Sequence, residues 1–334
     1  MYALARPGLF ALEPERAHEL TLAALARLPA VAQRMMFGEP AHAPLEFCGL
    51  RLRNRVGLAA GLDKDGVAIA GWMRMGFGFV ELGTVTPRPQ PGNPPPRLFR
   101  LPSRRALINR MGFNNAGVNA LAERLRRAPR EAAIGVNLGK NADTPLARAI
   151  DDYRLGLEAV YSLADYITVN LSSPNTAGLR ELQERDRFEP LLRELLQTRD
   201  RLADRHGRYR PLLVKLAPDL ADAEVDRLAD AAATLGVDGL IATNTTVMRP
   251  GLEGCAPAAE TGGLSGAPLA PLAERVLRRL RLRLGPSYPL VGVGGILSGE
   301  DAARRREAGA DVLQIYTGLI YRGPTLVREV ASVV

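Results

Sequence analysis

Eight short runs rich in Val, Ile and Leu recur from about residue 56 to the end of the chain, separated by longer amphipathic stretches. The runs are Val56–Gly61, Phe79–Thr86, Ile134–Gly139, Tyr166–Ser172, Leu212–Leu216, Gly239–Asn244, Leu290–Gly294 and Val312–Thr317. Strands that are apolar throughout are typical of a parallel sheet buried on both faces. Eight such βα units are the number that closes a (β/α)8 barrel. The pattern therefore predicts an α/β protein of the TIM-barrel class.

The main alternative is a doubly wound sheet, which normally has fewer strands and an obvious dinucleotide fingerprint. The segment Gly292–Leu297 approaches that fingerprint but has leucine where the motif requires its third glycine. The barrel is therefore favoured, and we predict no nicotinamide site.

Residues 1–45 precede this alternation and have a helical pattern of their own. Pro14 can open a helix with an apolar stripe on one side, and Ala30–Phe37 can form a second, shorter helix. The stripe consists of Ala17, Leu20, Ala24, Leu25 and Leu28. A second irregular segment, Thr86–Pro102, contains seven prolines and predicts a stiff loop after the second strand. We therefore predict an amphipathic helical extension at residues 1–45 and a barrel domain at residues 46–334.

Composition argues against several classes of function. The net charge of +8 would suit a nucleic-acid binder, but the arginine clusters lack interleaved aromatic residues, so we predict no nucleic-acid partner. Cys48 and Cys255 cannot form a disulfide framework or a four-cysteine metal site, and we expect an intracellular, reduced protein. His18, His42 and His206 lie away from predicted strand ends, which argues against a metal site and a Ser-His-Asp hydrolase. No run approaches the ~18 apolar residues of a membrane span.

Only three of the 44 basic residues are lysines, and each lies at or near the end of a predicted strand. They are Lys64, Lys140 and Lys215. In a chain that otherwise uses arginine, this choice indicates places where a compact ammonium is needed and a planar guanidinium would not fit. The carboxyl ends of barrel strands are also where active sites lie, so these lysines are candidate ligand-binding residues.

Amide and hydroxyl side chains are concentrated at the same strand ends. They include Thr84, Asn137, Asn170, Asn175, Thr243, Asn244, Thr245 and the cluster Asn109–Asn115. Amides offer paired donors and acceptors without charge, so they suit a flat ligand with carbonyl and N–H edges, such as a pyrimidine-dione or a flavin. One lysine could pair with a ligand carboxylate, and another could stabilise negative charge on a reduced flavin.

Small residues in the last barrel units predict a phosphate site. They lie in Ser265–Gly266, Gly294–Gly295 and Tyr316–Gly318, where barrel backbones commonly bind phosphate, and one phosphate fits FMN. For proton transfer the best candidate is a serine in Ser172–Asn175. Serine is a poor base, so we hypothesise a dry site with Thr176 or a water as relay.

Seven motifs resemble those of the dihydroorotate dehydrogenase family, in the family's order, and in particular those of its class 2, quinone-linked, membrane-associated branch. The similarity extends almost from end to end. The motifs are Ala60–Asp65, Gly83–Asn93, Asn109–Asn115, Asn170–Thr176, Ile241–Thr246, Gly262–Gly266 and Gly292–Ile296. So many matching segments make the resemblance highly specific.

The resemblance implies roles for particular residues, whereas it gives Lys140 no clear ligand role. FMN would be held by Ala60, Gly61, Leu62, Asp63, Lys64, Thr84, Asn137, Asn170, Lys215, Thr243, Gly266, Gly295, Tyr316 and Thr317. Dihydroorotate would be held by Lys64, Asn109, Arg110, Met111, Gly112, Phe113, Asn170, Asn175, Asn244 and Thr245. Ser173 occupies the position of the catalytic base, which is a cysteine in class 1 enzymes. His18 and Arg100 correspond to positions that line the family's quinone tunnel.

The resemblance further implies oxidation of (S)-dihydroorotate to orotate in de novo pyrimidine (UMP) biosynthesis. Ser173 would remove the proton next to the ring carbonyl, FMN would accept the hydride, and ubiquinone or menaquinone would take the electrons through the N-terminal helices. It implies a monomer held peripherally at the cytoplasmic face of the bacterial cell membrane. One alternative is a class 1 enzyme using fumarate or NAD, with cysteine at position 173 and no extension. The other is a catalytically silent barrel that binds a membrane or protein partner through residues 1–45.

Overall fold

The computed structural model describes residues 2–38 and 41–334. Its strands are β1 Leu45–Phe47, β2 Leu50–Leu52, β3 Val56–Leu58, β4 Phe79–Val85, β5 Leu98–Leu101, β6 Ala106–Asn109, β7 Ala133–Leu138, β8 Tyr166–Asn170, β9 Leu212–Leu216, β10 Gly239–Ala242, β11 Gly263–Gly266, β12 Leu290–Val293 and β13 Val312–Ile315. Its helices are α1 Tyr2–Ala11, α2 Pro14–Arg27, α3 Ala30–Phe37, α4 Ile69–Arg74, α5 Val118–Arg127, α6 Ala149–Val160, α7 Arg185–His206, α8 Asp222–Leu235, α9 Ala270–Leu284, α10 Gly299–Glu307, α11 Thr317–Arg322 and α12 Thr325–Ala331.

Eight parallel strands form a closed barrel in the order β3, β4, β7, β8, β9, β10, β12, β13, with β13 pairing back onto β3. Each of the eight apolar runs in the sequence contributes one of these strands, so the predicted TIM barrel is confirmed. The strands are buried along nearly their whole length because helices cover the outside and side chains fill the inside. This two-sided burial is why the runs do not alternate with polar residues.

A short hairpin of β1 and β2 closes the N-terminal end of the barrel. Phe47 and Leu52 of this hairpin cluster with Phe79, Leu213 and Val312 from the barrel strands. Burial of these side chains excludes water from that end. The carboxyl ends of the strands are therefore the open end of the barrel.

A second, antiparallel sheet forms beyond the carboxyl ends of the strands. It has the order β11, β6, β5, and it joins the long loop after β4 to the loop after β10 through pairing of Asn109 with Gly263. The proline-rich segment is a loop up to residue 97, but Leu98–Leu101 is strand β5, so the prediction of a loop over all of Thr86–Pro102 was wrong at its end. This sheet fixes Asn109 over the mouth of the barrel.

The N-terminal extension folds as helices α1, α2 and α3. Helix α2 begins at Pro14 as predicted, and the carboxylate of Glu13 caps it by accepting hydrogen bonds from the next backbone N–H groups. Ala17 and Leu25 are buried against the barrel as expected, whereas Leu20 is 48% exposed, because the buried face is set by contacts with α4 and β5. Ala24 is likewise exposed.

Helix α1 was not predicted, because Pro7 lies inside it. Proline disfavours helix interiors because it lacks the N–H group of one intrahelical hydrogen bond. Tyr2 and Arg6 donate hydrogen bonds to the carbonyl groups of Ile320 and Tyr321, which hold α1 against α11. Across residues 2–38 and 41–334, no helix combines the length and apolar character that crossing a membrane requires.

Candidate active site

A cleft with about 970 Å³ of open space lies at the carboxyl ends of the barrel strands. The predicted residues that line it are Ala60, Gly61, Lys64, Thr84, Asn109, Met111, Gly112, Phe113, Asn170, Ser173, Asn175, Lys215, Thr243, Asn244, Thr245, Gly266, Gly295, Tyr316 and Thr317. Most of the residues expected to bind a ligand are thus brought together from all parts of the barrel.

Amide and hydroxyl groups at the base of the cleft form one hydrogen-bonded chain. The Thr84 hydroxyl donates to Oδ1 of Asn137 at 2.5 Å, and Asn170 Nδ2 donates to Thr84 Oγ1 at 2.9 Å. Asn244 Nδ2 then donates to Oδ1 of Asn170 at 3.2 Å. Asn137 does not itself line the cleft, but it orients the two residues that do. The chain fixes the amide groups in one orientation before any ligand arrives.

A buried carboxylate, Glu81, lies beneath this chain and was missed by the sequence analysis. It accepts hydrogen bonds from Asn137 Nδ2 at 2.8 Å, from the Tyr166 hydroxyl at 3.0 Å and from Gln314 Nε2 at 2.7 Å. Burial and this carboxylate together raise the pKa of Tyr166 well above its usual value. An acidic residue inside the otherwise apolar run Phe79–Val85 was the available signal.

Two ammonium groups enter the cleft, those of the half-buried Lys64 and the buried Lys215. Among the described residues, neither Lys64 nor Lys215 has a hydrogen bond or an ion pair within 4 Å. Burial lowers the pKa of Lys64 to about 8, although Asp65 opposes the shift. Burial also lowers the pKa of Lys215, and the negative charge of Glu81 opposes that shift. Buried charges without partners are costly, so this site fits an anionic ligand.

The candidate base, Ser173, lines the cleft and is only 5% exposed. Its Oγ accepts a hydrogen bond from the backbone N–H of Asn175 at 3.2 Å. Asn175 Nδ2 donates to Asn109 Oδ1 at 3.0 Å, while Oδ1 of Asn175 is buried without a partner. Oγ1 of Thr176 is also buried without a partner, which is compatible with the hypothesis of a relay. These orphaned acceptors fit a ligand or water that supplies N–H or O–H donors.

The opposite end of the cleft is lined by glycines and small hydroxyl residues. These are Gly266, Gly294, Gly295, Gly318, Ser265 and Thr317. The Thr317 hydroxyl donates to Ser265 Oγ at 2.8 Å. Gly295 has a positive φ of 73°, and a Cβ there would lie 2.5 Å from the Cβ of Ala270, so only glycine fits. A bare backbone with adjacent hydroxyl groups fits a phosphate.

Besides Asn137, three predicted ligand residues do not line the cleft. The carboxylate of Asp63 accepts hydrogen bonds from the backbone of Val67 and Ala68 and from the Trp72 indole at the start of α4. Leu62 is buried in the core. Arg110 makes a 2.5 Å ion pair with Glu260. These side chains therefore build the loops around the cleft, and a ligand could meet only their backbone.

Lys140 has a structural position. Its ammonium is buried and donates hydrogen bonds to the carbonyl oxygens of Asn141, at 3.1 Å, and Thr144, at 2.8 Å. The Asn141 side chain in turn bonds Gln90 and the backbone of Arg88 in the proline-rich loop. Lys140 thus supports the loop rather than the cleft.

The two predicted quinone residues lie between the extension and the barrel and do not line the cleft. Arg100 donates hydrogen bonds to the carbonyl oxygens of Leu9, Phe10 and Leu12, where α1 ends. Burial and the positive charge of Lys64 lower the pKa of His18 to about 4. His18 is therefore neutral at physiological pH and lies within electrostatic reach of the cleft.

These features define a barrel enzyme whose mouth fits a flat, anionic ligand together with a single phosphate group. The family model for dihydroorotate dehydrogenase matches residues 43–333. The chain belongs to the dihydroorotate dehydrogenase family, whose quinone-linked members are FMN-dependent oxidoreductases.

Relatives match over almost the whole chain. A dihydroorotate dehydrogenase (quinone) of Methylibium petroleiphilum is 54% identical over 99% of this chain and 97% of its own length. A dihydroorotate dehydrogenase (quinone) of Flavobacterium lutescens is 56% identical over 98% of this chain and 95% of its own length. A crystal structure of DHODH from Eimeria tenella in complex with ferulenol superposes with a TM-score of 0.89 at 39% identity, covering 98% of this chain and 93% of that one. The match includes the N-terminal helices as well as the barrel.

Proposed function

We propose that this protein oxidises (S)-dihydroorotate to orotate in pyrimidine biosynthesis and passes the electrons to a quinone. The observation that carries the proposal is the pair of unpartnered ammonium groups, Lys64 and Lys215, beside a fixed set of amides and Ser173. Dihydroorotate is a small ring with carbonyl and N–H edges and one carboxylate. Such a molecule matches both the amides and one of the charges.

The residues of the cleft fit FMN as the resident cofactor. Lys215, Thr84 and Asn170 would hold the flavin ring, and Gly295 with Thr317 would hold its phosphate. When bound, FMN supplies the hydride acceptor that the amino acids of this chain cannot provide. The ammonium of Lys215 would stabilise negative charge on the ring.

The substrate would lie between the flavin and the loop that carries Ser173. Asn109, Asn175 and Asn244 would bind its carbonyl and N–H edges, and Lys64 would pair with its carboxylate. Ser173 would remove the proton next to the ring carbonyl, with Thr176 or a water carrying that proton away. Exclusion of water from Ser173 makes such a transfer easier because the developing charges are held by fixed groups.

The N-terminal helices would serve the second substrate. His18 and Arg100 would contact a quinone that reaches the cleft between the extension and the barrel. The outer surface of the extension carries exposed apolar side chains, with Leu4 86%, Val31 73% and Met35 81% exposed. Such side chains suit a helix lying in the membrane interface, so we assign the protein to the membrane surface on the cytoplasmic side, as a monomer.

The test is the formation of orotate from dihydroorotate with a short-chain quinone, compared with fumarate and NAD as acceptors. Quinone-dependent turnover well above turnover with the other acceptors supports the proposal. Turnover with fumarate or NAD instead would make this a class 1 activity despite Ser173 and the extension. No turnover with any acceptor by a flavin-free protein would favour the silent barrel.

A further inference from the structure

One arginine, Arg180, lies next to the cleft and joins two of its loops. It follows the Ser173 loop in a short 3-10 turn, Leu179–Gln183. Its Nε donates to the carbonyl oxygen of Ser172 at 3.1 Å, and its Nη2 donates to the carbonyl oxygen of Thr245 at 2.9 Å. One guanidinium therefore holds the residue before the candidate base and a residue of the predicted substrate site.

The remaining nitrogen of Arg180 reaches a third loop. Nη1 donates to Oδ2 of Asp219 at 2.7 Å, and both side chains are largely buried. Asp219 also accepts hydrogen bonds from the Thr246 hydroxyl and from the backbone N–H of Val247 at 3.3 Å. The loops after β8, β9 and β10 are thus joined by one partly buried ion pair.

The turn that carries Arg180, Leu179–Gln183, is held firmly against the barrel. Leu179 and Leu182 are buried in the main core, and Gln183 accepts a hydrogen bond from the backbone N–H of Ala217 at 3.2 Å. Arg180 therefore starts from a fixed backbone position. In the Ser173 loop in front of it, the Ser173 hydroxyl accepts a hydrogen bond from the backbone N–H of Asn175, and the Ser172 hydroxyl donates one to Asn170 Oδ1 at 3.1 Å.

We propose that Arg180 and Asp219 are positioning residues that hold Ser173 and Thr245 in register over the substrate. This inference rests on the proposed function and names a pair that touches neither substrate nor flavin. The planar fork of arginine can serve three acceptors in three directions, whereas an ammonium on the same stem cannot match that geometry. Loss of the fork would remove the arginine donor from two carbonyl groups and from the carboxylate of Asp219, which would keep only its bonds from Thr246 and Val247.

The experiment compares Arg180→Lys and Asp219→Asn with the unchanged enzyme in its flavin-loaded form. Anaerobic stopped-flow gives the limiting rate of flavin bleaching and the apparent dissociation constant for dihydroorotate, with substrate deuterated at C5 or at C6. The matched control is Arg279→Lys, because Arg279 makes a bidentate pair with Asp226 on the outer helices, far from the cleft. Flavin content and melting temperature are measured for every variant.

We expect Arg180→Lys and Asp219→Asn to keep FMN but to bleach about 10- to 100-fold more slowly, which is less than the roughly 10²- to 10⁴-fold loss expected when the proton-transfer group itself is removed. The isotope effect from C5 should increase, because proton removal becomes the slower step. The control should bleach like the unchanged enzyme.

Bleaching within threefold of the unchanged enzyme with the same isotope effects would overturn the positioning role. Loss of FMN from both variants would also overturn it, by showing that the pair is only structural. If the unchanged enzyme itself fails to bleach, the proposed function fails first.

Discussion

Lys64 is a half-buried cation of the cleft that can pair with a ligand carboxylate only while it keeps its proton. Burial lowers its pKa to about 8, so at neutral pH most of the population carries the ammonium form. Arginine would keep its charge more firmly, but its guanidinium is larger and planar. The choice of lysine therefore makes ligand binding sensitive to mildly alkaline pH.

The affinity for orotate should accordingly fall as the pH rises through 8. Because the folded-state pKa is lowered, the ammonium is present below 8 and lost above it, and the dissociation constant should rise by up to about tenfold per pH unit. Titration of the flavin absorbance with orotate between pH 6.5 and 9.5 measures this. Lys64→Met should bind weakly at every pH, and a slope that survives in that variant would assign the titration to another group.

Lys215 and Lys140 provide a matched pair for testing the role of the second ammonium. Both are buried, but only Lys215 lines the cleft, whereas Lys140 bonds backbone carbonyl groups. Lys215→Met should lose bound flavin or slow its reduction by about 10²- to 10³-fold, as expected for a preorganised charge. Lys140→Met should keep its flavin at a lower melting temperature. Equal flavin content and reduction rates in the two variants would remove the assignment of Lys215.

Ser173 is the candidate base, but it has no histidine beside it to accept its proton, because none of the three histidines lines the cleft. Ser173→Ala should retain FMN and bind orotate but reduce flavin about 10²- to 10⁴-fold more slowly. Ser173→Cys should keep part of the activity with its pH optimum moved downward, because a thiol ionises more readily. Rapid single-turnover reduction of Ser173→Ala would mean that another group takes the proton.

The sequence predicted which segments reach the cleft better than it predicted which side chains point into it. The motif segments reached the cleft as predicted, but the side chains of Asp63 and Arg110 turn away from it. The buried carboxylate of Asp63 accepts three hydrogen bonds from N–H groups at the start of α4. A sequence motif does not show whether such a carboxylate bonds these N–H groups or a ligand. Arg180 was missed for the same reason, since its three acceptors come from separate loops.

The helices of the extension show which parts of an amphipathic pattern are set by packing. Leu25 packs tightly on Gly71 of α4, where a Cβ would lie 2.4 Å from Cγ of Leu25. Arg97 in the proline-rich loop makes a largely buried ion pair with Glu15 at 2.6 Å. These contacts fix α2 on the barrel. Leu4, Val31 and Met35 are then left on its outer surface.

That outer surface should matter for a membrane-embedded acceptor but not for a soluble one. Val31→Glu and Met35→Glu place charges on residues that are 73% and 81% exposed, so the fold should tolerate them. Turnover with a long-tailed quinone in vesicles should fall several-fold, while turnover with a small soluble dye should not change. Leu282→Glu, at a site on α9 that is 78% exposed, is the control. Unchanged quinone turnover in the first two variants would place membrane contact elsewhere.

The molecule as a whole shows why the barrel could be predicted and the sheet above it could not. Barrel strands are buried on both faces, so their apolar runs are visible in the sequence. Strands β5, β6 and β11 have four residues each and pair across distant loops, so they leave no such run. Their existence depends on tertiary pairing rather than on local pattern.

The high arginine content also has a structural explanation at this level. Arg275, Arg279 and Arg283 lie on successive turns of α9 and face α8. Each forms an ion pair with an aspartate of α8, and these aspartates are also spaced four residues apart. The aspartates are Asp222, Asp226 and Asp230. These solvent-accessible pairs each contribute little to stability, but they give three of the arginines a partner within the protein.

The central claim is that this cleft binds FMN and delivers electrons to it from dihydroorotate. Its most direct test is the visible spectrum of the purified protein under anaerobic conditions, before and after addition of (S)-dihydroorotate, with orotate measured in the same sample. We predict a flavin band that bleaches, with one orotate formed for each flavin reduced. A flavin band that stays unchanged in excess dihydroorotate, while dithionite still bleaches it, would contradict the account.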